Sequence, residues 1–139
     1  MKYAVIILLL GLASMVHAAD APASDFTGHY ELVKSAKIAF SLDVQQKGKS
    51  ASVSFSASHV DGSGAAPDGD GKGTINAKGE LKFEWTDSFV NSGSAVLRRD
   101  GKTFRLSMDP TKVTEPRALV LYDDFVLKRT SAKPQTESR

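Results

Sequence analysis

The chain has 139 residues, no cysteine, and 18 Lys and Arg against 16 Asp and Glu, a formal net charge of +2. The missing cysteines exclude a disulfide framework. The near balance of charge gives no electrostatic reason to expect nucleic acid or an anionic membrane surface as a partner. This composition predicts one domain, which apolar packing must stabilise.

The first 18 residues are typical of a secretory signal peptide. Lys2 supplies a positive charge, Ala4 to Leu12 form an apolar stretch too short to span a bilayer, and Val16-His17-Ala18 suits a cleavage site. We expect cleavage after Ala18 and a protein in the periplasm or outside the cell; the alternative is a retained N-terminal anchor. Residues 19–25 are expected to be flexible and residues 130–139 disordered, because both segments are polar or rich in Ala, Pro and Ser.

Between residues 26 and 129 the apolar residues recur with a period of two, which predicts half-buried strands. Phe40, Leu42 and Val44, for example, alternate with polar neighbours. Eight strands are expected, at Gly28–Lys34, Lys37–Gln46, Ser50–His59, Lys72–Ala77, Glu80–Asp87, Gly93–Arg99, Lys102–Met108 and Arg117–Arg129, with a possible bulge at Asp123-Asp124.

Tight and long connections alternate between these strands. The tight ones each contain a glycine. The tight connections are Lys47-Gly48-Lys49, Ala77-Lys78-Gly79-Glu80 and Asp100-Gly101-Lys102, and the long ones are Val60 to Gly71, Ser88 to Ser92 and Pro110 to Pro116.

This alternation predicts an all-β fold, an eight-stranded antiparallel up-and-down meander that closes into a small barrel. A two-sheet β-sandwich of the same meander is the alternative. A barrel of eight strands is either nearly filled by side chains or holds one small ligand. The aromatic residues with inward parity favour a mostly filled interior: Phe40, Phe55, Phe83, Trp85, Phe104 and Phe125.

The order of turns resembles that of the calycin group, the lipocalin-like and avidin-like barrels. Lipocalins have Gly-x-Trp on the first strand and a basic residue near the end of the last strand that packs across it. Gly28-His29-Tyr30 and Lys128-Arg129 stand in those places, with Tyr30 in place of the tryptophan. The resemblance implies the barrel and a basic side chain at its base; a shared fold does not imply a shared function.

Strand parity predicts where a binding site would lie. His59 continues the inward series of its strand, Asp87 continues that of Trp85, and Arg117 precedes an inward series of leucines. These three polar residues are expected to converge on the loop-bearing mouth above Trp85, as small-ligand pockets are commonly built. The alternative is a polar lid that closes a filled barrel.

Metal and cofactor motifs are weak. Asp68-Gly69-Asp70-Gly71-Lys72 imitates the start of an EF-hand loop, but Lys72 takes a ligand position and the bidentate glutamate is missing. No metal site and no cofactor are therefore predicted.

The leading hypothesis is an exported, non-enzymatic protein that binds a small or partly apolar ligand through His59, Asp87, Arg117 and Trp85. The second is an inhibitor or immunity protein that binds a toxin or hydrolase through its long loops. Ser92-Gly93-Ser94 resembles, faintly, a loop motif of periplasmic lysozyme inhibitors. An enzyme ranks third, because no nucleophile is placed beside His59 and Asp87.

Overall fold

The computed structural model describes residues 25–135; the predicted signal peptide, residues 19–24 and residues 136–139 lie outside the described part. It contains eight strands and one short 3-10 helix: β1 (Gly28–Leu32), β2 (Ile38–Lys47), β3 (Ser50–His59), β4 (Asp68–Ile75), β5 (Leu81–Asp87), β6 (Ser92–Asp100), β7 (Thr103–Lys112), the 3-10 helix (Pro116–Leu121) and β8 (Asp124–Ser131).

Each strand pairs antiparallel with the next, and β8 pairs with β1, so the sheet closes into a barrel. The predicted all-β meander and barrel are confirmed, and the sandwich is excluded. The turns that join β2 to β3, β4 to β5 and β6 to β7 lie at one end, which we call the tight-turn end. The other four connections lie at the opposite, loop-bearing end.

The last predicted strand is wrong in its first half. Residues 116–121 form the 3-10 helix, and β8 begins only at Asp124 and extends to Ser131. Glu115 caps the helix by accepting from the Arg117 backbone N–H, and Pro116 occupies its first turn, where its missing N–H costs nothing. The change of element at Tyr122 and Asp123, rather than a bulge, explains the break in strand parity. Within residues 25–135, no helix is long and apolar enough to cross a membrane.

Strand β4 begins four residues earlier than expected, so Asp68 to Gly71 lie in a strand and not in the long loop. Gly71 and Gly73 take inward positions in β4. A Cβ at Gly71 would overlap the carbonyl oxygen of Glu84, and one at Gly73 would overlap that of Lys82. The backbones of β4 and β5 therefore approach each other closely at these two positions, where only glycine fits.

Aromatic rings fill the interior as expected. Toward the loop-bearing end, Phe40 stacks on Phe125 with ring centroids 4.7 Å apart, and Phe55 lies edge-on to Trp85 at 5.8 Å. Toward the tight-turn end, Tyr30 lies edge-on to Phe104 at 4.9 Å. All six rings predicted to point inward are buried.

Arg129 lies across the tight-turn end of the barrel. Its guanidinium lies 5.3 Å from the centre of the Phe104 ring and donates to the carbonyl oxygens of Asp25 and Thr27. The stem of Arg129 crosses Gly28, where a Cβ would lie 2.8 Å from Cδ of the arginine. The Tyr30 hydroxyl donates to the Phe26 carbonyl at 2.6 Å, and burial raises the pKa of Tyr30 to about 12.

Replacing Gly71 by alanine should destabilise the barrel, because the added methyl group meets backbone and not a flexible side chain. We expect Gly71→Ala to lower the free energy of unfolding by about 1–3 kcal/mol. Urea denaturation followed by Trp85 fluorescence measures this. Lys72→Ala, at the next, outward-facing position, should stay within about 0.5 kcal/mol of the wild type. Equal stability of the two variants would refute the close approach of β4 and β5.

Candidate functional site

The four residues predicted to form a site all lie at the loop-bearing end, but they do not form one open pocket. Trp85 and Asp87 are buried at the end of β5, His59 is half-buried at the end of β3, and Arg117 is exposed on the 3-10 helix. Each has a different environment.

Trp85 lies below the mouth of the barrel, where the sequence predicts the bottom of a ligand pocket. The Tyr122 side chain covers it. The Tyr122 ring lies 4.8 Å from the Trp85 ring, centroid to centroid, and Phe55 contacts both at 5.8 and 5.9 Å. The indole N–H donates to the Ser94 carbonyl at 3.1 Å. The position expected for a ligand above Trp85 is thus filled by the Tyr122 ring of the same chain.

Asp87 accepts four hydrogen bonds. Its Oδ1 accepts from the backbone N–H groups of Phe89 and Asn91, both at 2.9 Å. Its Oδ2 accepts from Nδ2 of Asn91 at 2.9 Å and from the Tyr122 hydroxyl at 2.6 Å. A carboxylate offers about four lone-pair sites, so these donors use all of them. Asp87 therefore has no acceptor site left for a ligand or for the His59 ring.

Asn91 extends this network to the next loop. Its Oδ1 accepts from the backbone N–H groups of Thr114 and Glu115 at 2.7 and 2.8 Å, and its Nδ2 also donates to the Glu115 carbonyl at 3.3 Å. Asn91 is completely buried. We call Asp87, Asn91 and Tyr122 the mouth network, because together they join the β5–β6 loop, the β7–β8 connection and the 3-10 helix.

The environment of Tyr122 keeps its hydroxyl protonated. Burial, followed by the hydrogen bond to the Asp87 carboxylate, raises the pKa of Tyr122 far above its ordinary value. Tyr122 thus remains a hydrogen-bond donor at physiological pH, which is what the carboxylate requires.

Arg117 does not point into the barrel as strand parity predicted, since it lies on the 3-10 helix and its side chain is 80% exposed. Its guanidinium donates to both carboxylate oxygens of Glu115, at 2.9 and 3.0 Å. This fork, with the backbone N–H of Arg117, lowers the pKa of Glu115 to about 2. Arg117 and Asp87 are therefore not brought together.

His59 lies at the rim under the β3–β4 loop. Its carbonyl accepts from the Gly62 N–H at 3.0 Å, and a Cβ at Gly64 would lie 3.2 Å from its ring. In that loop Ser63 donates to the Asp61 carboxylate through its backbone N–H and its hydroxyl, which holds the pKa of Asp61 below its usual range. The loop folds locally over the His59 ring.

The loop-bearing end has one feature that the sequence analysis missed. All the large apolar residues that are exposed within residues 25–135 lie there, and none lies at the tight-turn end. We call them the valine rim: Val33, Val60, Val90, Val113 and Val120. Single exposed apolar residues are ordinary, whereas a group confined to one end of a molecule suggests an interaction surface. The signal in the sequence was a valine in each long connection.

Hydrogen bonds between loops hold the valine rim in place. The Thr114 hydroxyl donates to the Val90 carbonyl at 3.0 Å, and the Val60 N–H donates to the Lys37 carbonyl at 2.9 Å. Val90 itself has φ of +64°. This left-handed conformation is unfavourable for a β-branched residue, and it persists because Asp87 and Asn91 fix the turn on both sides.

A polar groove of about 930 Å³ lies on the outer wall. Hydroxyl and carboxylate side chains of β3, β4 and β5 line it, together with His29, Asp43 and the segment from Lys133 to Gln135. Several of these groups are paired with each other: Ser56 donates to Asp68 at 2.7 Å, and the Gln135 N–H donates to Asp43 at 2.7 Å. Among the described residues, no group of three His, Asp or Glu side chains is arranged to hold a metal ion.

Ser92-Gly93-Ser94 lies in β6 and not in a loop. A Cβ at Gly93 would overlap the Asp109 carbonyl oxygen, so the close pairing of β6 and β7 accounts for the glycine.

No family model matches the chain, and searches of curated proteins and of solved structures find no significant match.

Removing the Asp87 carboxylate should weaken the whole loop-bearing end. Asp87→Ala leaves the buried Tyr122 hydroxyl without its acceptor and removes one of the two acceptors of the Asn91 amide, so we expect the free energy of unfolding to fall by about 3 kcal/mol. Urea denaturation with Trp85 fluorescence measures this. Asp109→Ala, an exposed carboxylate on β7, is the control and should change it by less than about 0.5 kcal/mol. An Asp87→Ala protein of wild-type stability would contradict the role of the mouth network.

The Glu115–Arg117 pair predicts an acid titration below the usual range. Glu115 should titrate near pH 2 in the wild type and return toward 4.5 in Arg117→Ala. Since the folded-state pKa is lowered, any stabilisation by this pair is complete above about pH 4.5 and is lost as the pH falls toward 2. Carbon-detected NMR of the side-chain carboxyl measures both values, and Lys112→Ala is the control. An ordinary Glu115 titration in the wild type would refute the pair.

Proposed function

We propose that this protein is a non-enzymatic binding protein that docks a protein partner on its loop-bearing end. The valine rim is the observation on which the proposal rests. Five apolar side chains are exposed there, and the mouth network holds two of the connections that present them, the β5–β6 loop and the β7–β8 connection. A surface that is both apolar and fixed in shape loses little conformational entropy when a partner binds.

The filled mouth favours a protein partner over the small ligand that was the leading hypothesis. The Tyr122 ring covers Trp85, the acceptor sites of Asp87 are used, and Arg117 is bound to Glu115. A small ligand would have to displace Tyr122 and leave a buried carboxylate short of a donor, which is costly. A protein can instead contact the rim without opening the barrel.

The charge of the loop-bearing end supports a basic partner. Eight acidic residues and four basic ones lie on the strand ends and loops at this end, between residues 32–40, 57–70, 86–93 and 108–124. The valine rim, with acidic residues around it, is complementary to a cleft that is bordered by Lys and Arg. With the predicted export, this supports the second hypothesis, an inhibitor or immunity protein for a basic toxin or hydrolase in the periplasm or outside the cell.

We also propose a relationship to the calycin barrels. The support is the closed eight-stranded meander together with the packing of Arg129 across Gly28 and the Phe104 ring. The proposed relationship is one of fold only. The proposed partner is inferred from the valine rim and not from the calycin barrels.

Photo-cross-linking tests the docking surface directly. A photoreactive residue at Val90 or Val120 should form covalent adducts with one protein in the producing cells, which mass spectrometry then identifies. The same residue at Val96, a half-buried valine on the outer wall of β6, is the matched control and should give none. The identified protein, once purified, should bind with one-to-one stoichiometry and lose its hydrolytic or toxic activity.

Charged substitutions in the rim should weaken that complex. Val90→Asp and Val120→Asp each place a carboxylate in an apolar contact, so we expect at least about tenfold weaker binding by calorimetry. Val96→Ser should bind like the wild type. The proposal fails if binding survives both rim variants, or if protein from its own host contains a bound small molecule that is lost in Tyr122 and Trp85 variants.

A further inference from the structure

Folding separates the charges of this nearly neutral chain. The tight-turn end comprises residues 25–31, 43–52, 74–82, 97–105 and 127–131. Five acidic residues lie in these segments, Asp25, Glu31, Asp43, Glu80 and Asp100. Ten basic residues accompany them: Lys47, Lys49, Lys78, Lys82, Arg98, Arg99, Lys102, Arg105, Lys128 and Arg129. The loop-bearing end has the opposite excess, so the barrel is strongly dipolar along its axis.

The cationic side chains are available to solvent. Each of the three hairpin turns at this end presents an exposed lysine beside a glycine: Lys47 and Lys49 on the first turn, Lys78 on the second and Lys102 on the third. Of all ten basic residues only Arg129 is partly buried, and among the exposed ones Arg105 donates to Asp100 at 2.7 Å. All three turns lie at the same end of the barrel, and each presents at least one exposed lysine to solvent.

Two arginines add a fixed centre to this surface. Arg99 and Arg129 lie over Phe104, with guanidinium carbons 5.0 and 5.3 Å from the ring centre. Cation–π contact with a buried ring restrains the guanidinium groups. The planar guanidinium group is suited to phosphate oxygens.

We propose that the tight-turn end binds the surface of an anionic phospholipid bilayer. Exposed lysines on three turns at one end of the barrel, together with two arginines held against Phe104, suit a surface of phosphate groups. Single-stranded nucleic acid is bound with exposed aromatic side chains, and within residues 25–135 every aromatic ring is buried or partly buried. The tight-turn end also lacks exposed large apolar residues among those described, so the contact is electrostatic and does not insert.

The dipole also sets the orientation on the bilayer. The acidic loop-bearing end is repelled by the same lipids that attract the turns, so the valine rim faces away from the membrane. The membrane contact does not depend on the proposed protein partner, and either one can fail alone.

Vesicle flotation tests the proposal. The full mature protein should float with vesicles of phosphatidylglycerol and phosphatidylcholine in equal parts, should not float with phosphatidylcholine alone, and should be released as salt is raised. Replacing Lys47, Lys49, Lys78 and Lys102 by Gln should weaken binding at least about tenfold. The control replaces four lysines outside the tight-turn end, Lys34, Lys37, Lys72 and Lys112, and has the same net charge. Equal losses in the two variants would overturn the proposal.

Orientation and competing ligands give independent readouts. The chain has no cysteine, so Ala77→Cys and Ser63→Cys each permit a single environment-sensitive fluorophore. The label at Ala77, in the second turn, should respond to anionic vesicles, and the label at Ser63, in the β3–β4 loop, should not. Tighter binding to a single-stranded or duplex oligonucleotide than to the vesicles would assign the surface to nucleic acid and overturn the proposal.

Discussion

The mouth network is the interaction on which the loop-bearing end depends. One buried carboxylate, Asp87, joins a turn on β5, the amide of Asn91 and the hydroxyl of Tyr122. Each group is buried and each is paired, so removing any one takes a hydrogen-bond partner from a buried neighbour. This cooperativity fixes connections that are distant in sequence, because Asn91 binds the backbone at Thr114 and Glu115. The β5–β6 loop and the β7–β8 connection are thereby held together.

The same network separates the interior from the exterior of the barrel. Tyr122 turns inward to reach Asp87 and covers Trp85, whereas Val90 and Val120 are left outside. Of the three polar residues that the sequence suggested as a binding site, only Asp87 belongs to this network, where it supports the loops from inside. The binding surface that we propose is therefore the valine rim and not a pocket at the mouth.

The two ends of the barrel differ in charge and in exposed apolar residues, because the direction of the strands decides which turns lie at which end. An antiparallel meander sends alternate turns to opposite ends, and the basic turns all fall on one side. The net charge of +2 therefore combines a basic excess at the tight-turn end and an acidic excess at the loop-bearing end. An acidic, valine-bearing end and a cationic end give the molecule two surfaces of different chemistry, and the barrel wall keeps them apart.

The sequence by itself determined the strands, their order and the inward rings, because a period of two and the turn glycines are local signals. It missed the 3-10 helix, since the apolar residues of Pro116–Leu121 also fit a strand pattern when Pro116 is disregarded. The early start of β4 was hidden because its glycines resemble a loop. Only tertiary structure decided the pairing of Asp87 with Tyr122, the outward position of Arg117, the valine rim and the cationic end. These depend on contacts between residues that are far apart in the chain, and closure of the barrel brings them together.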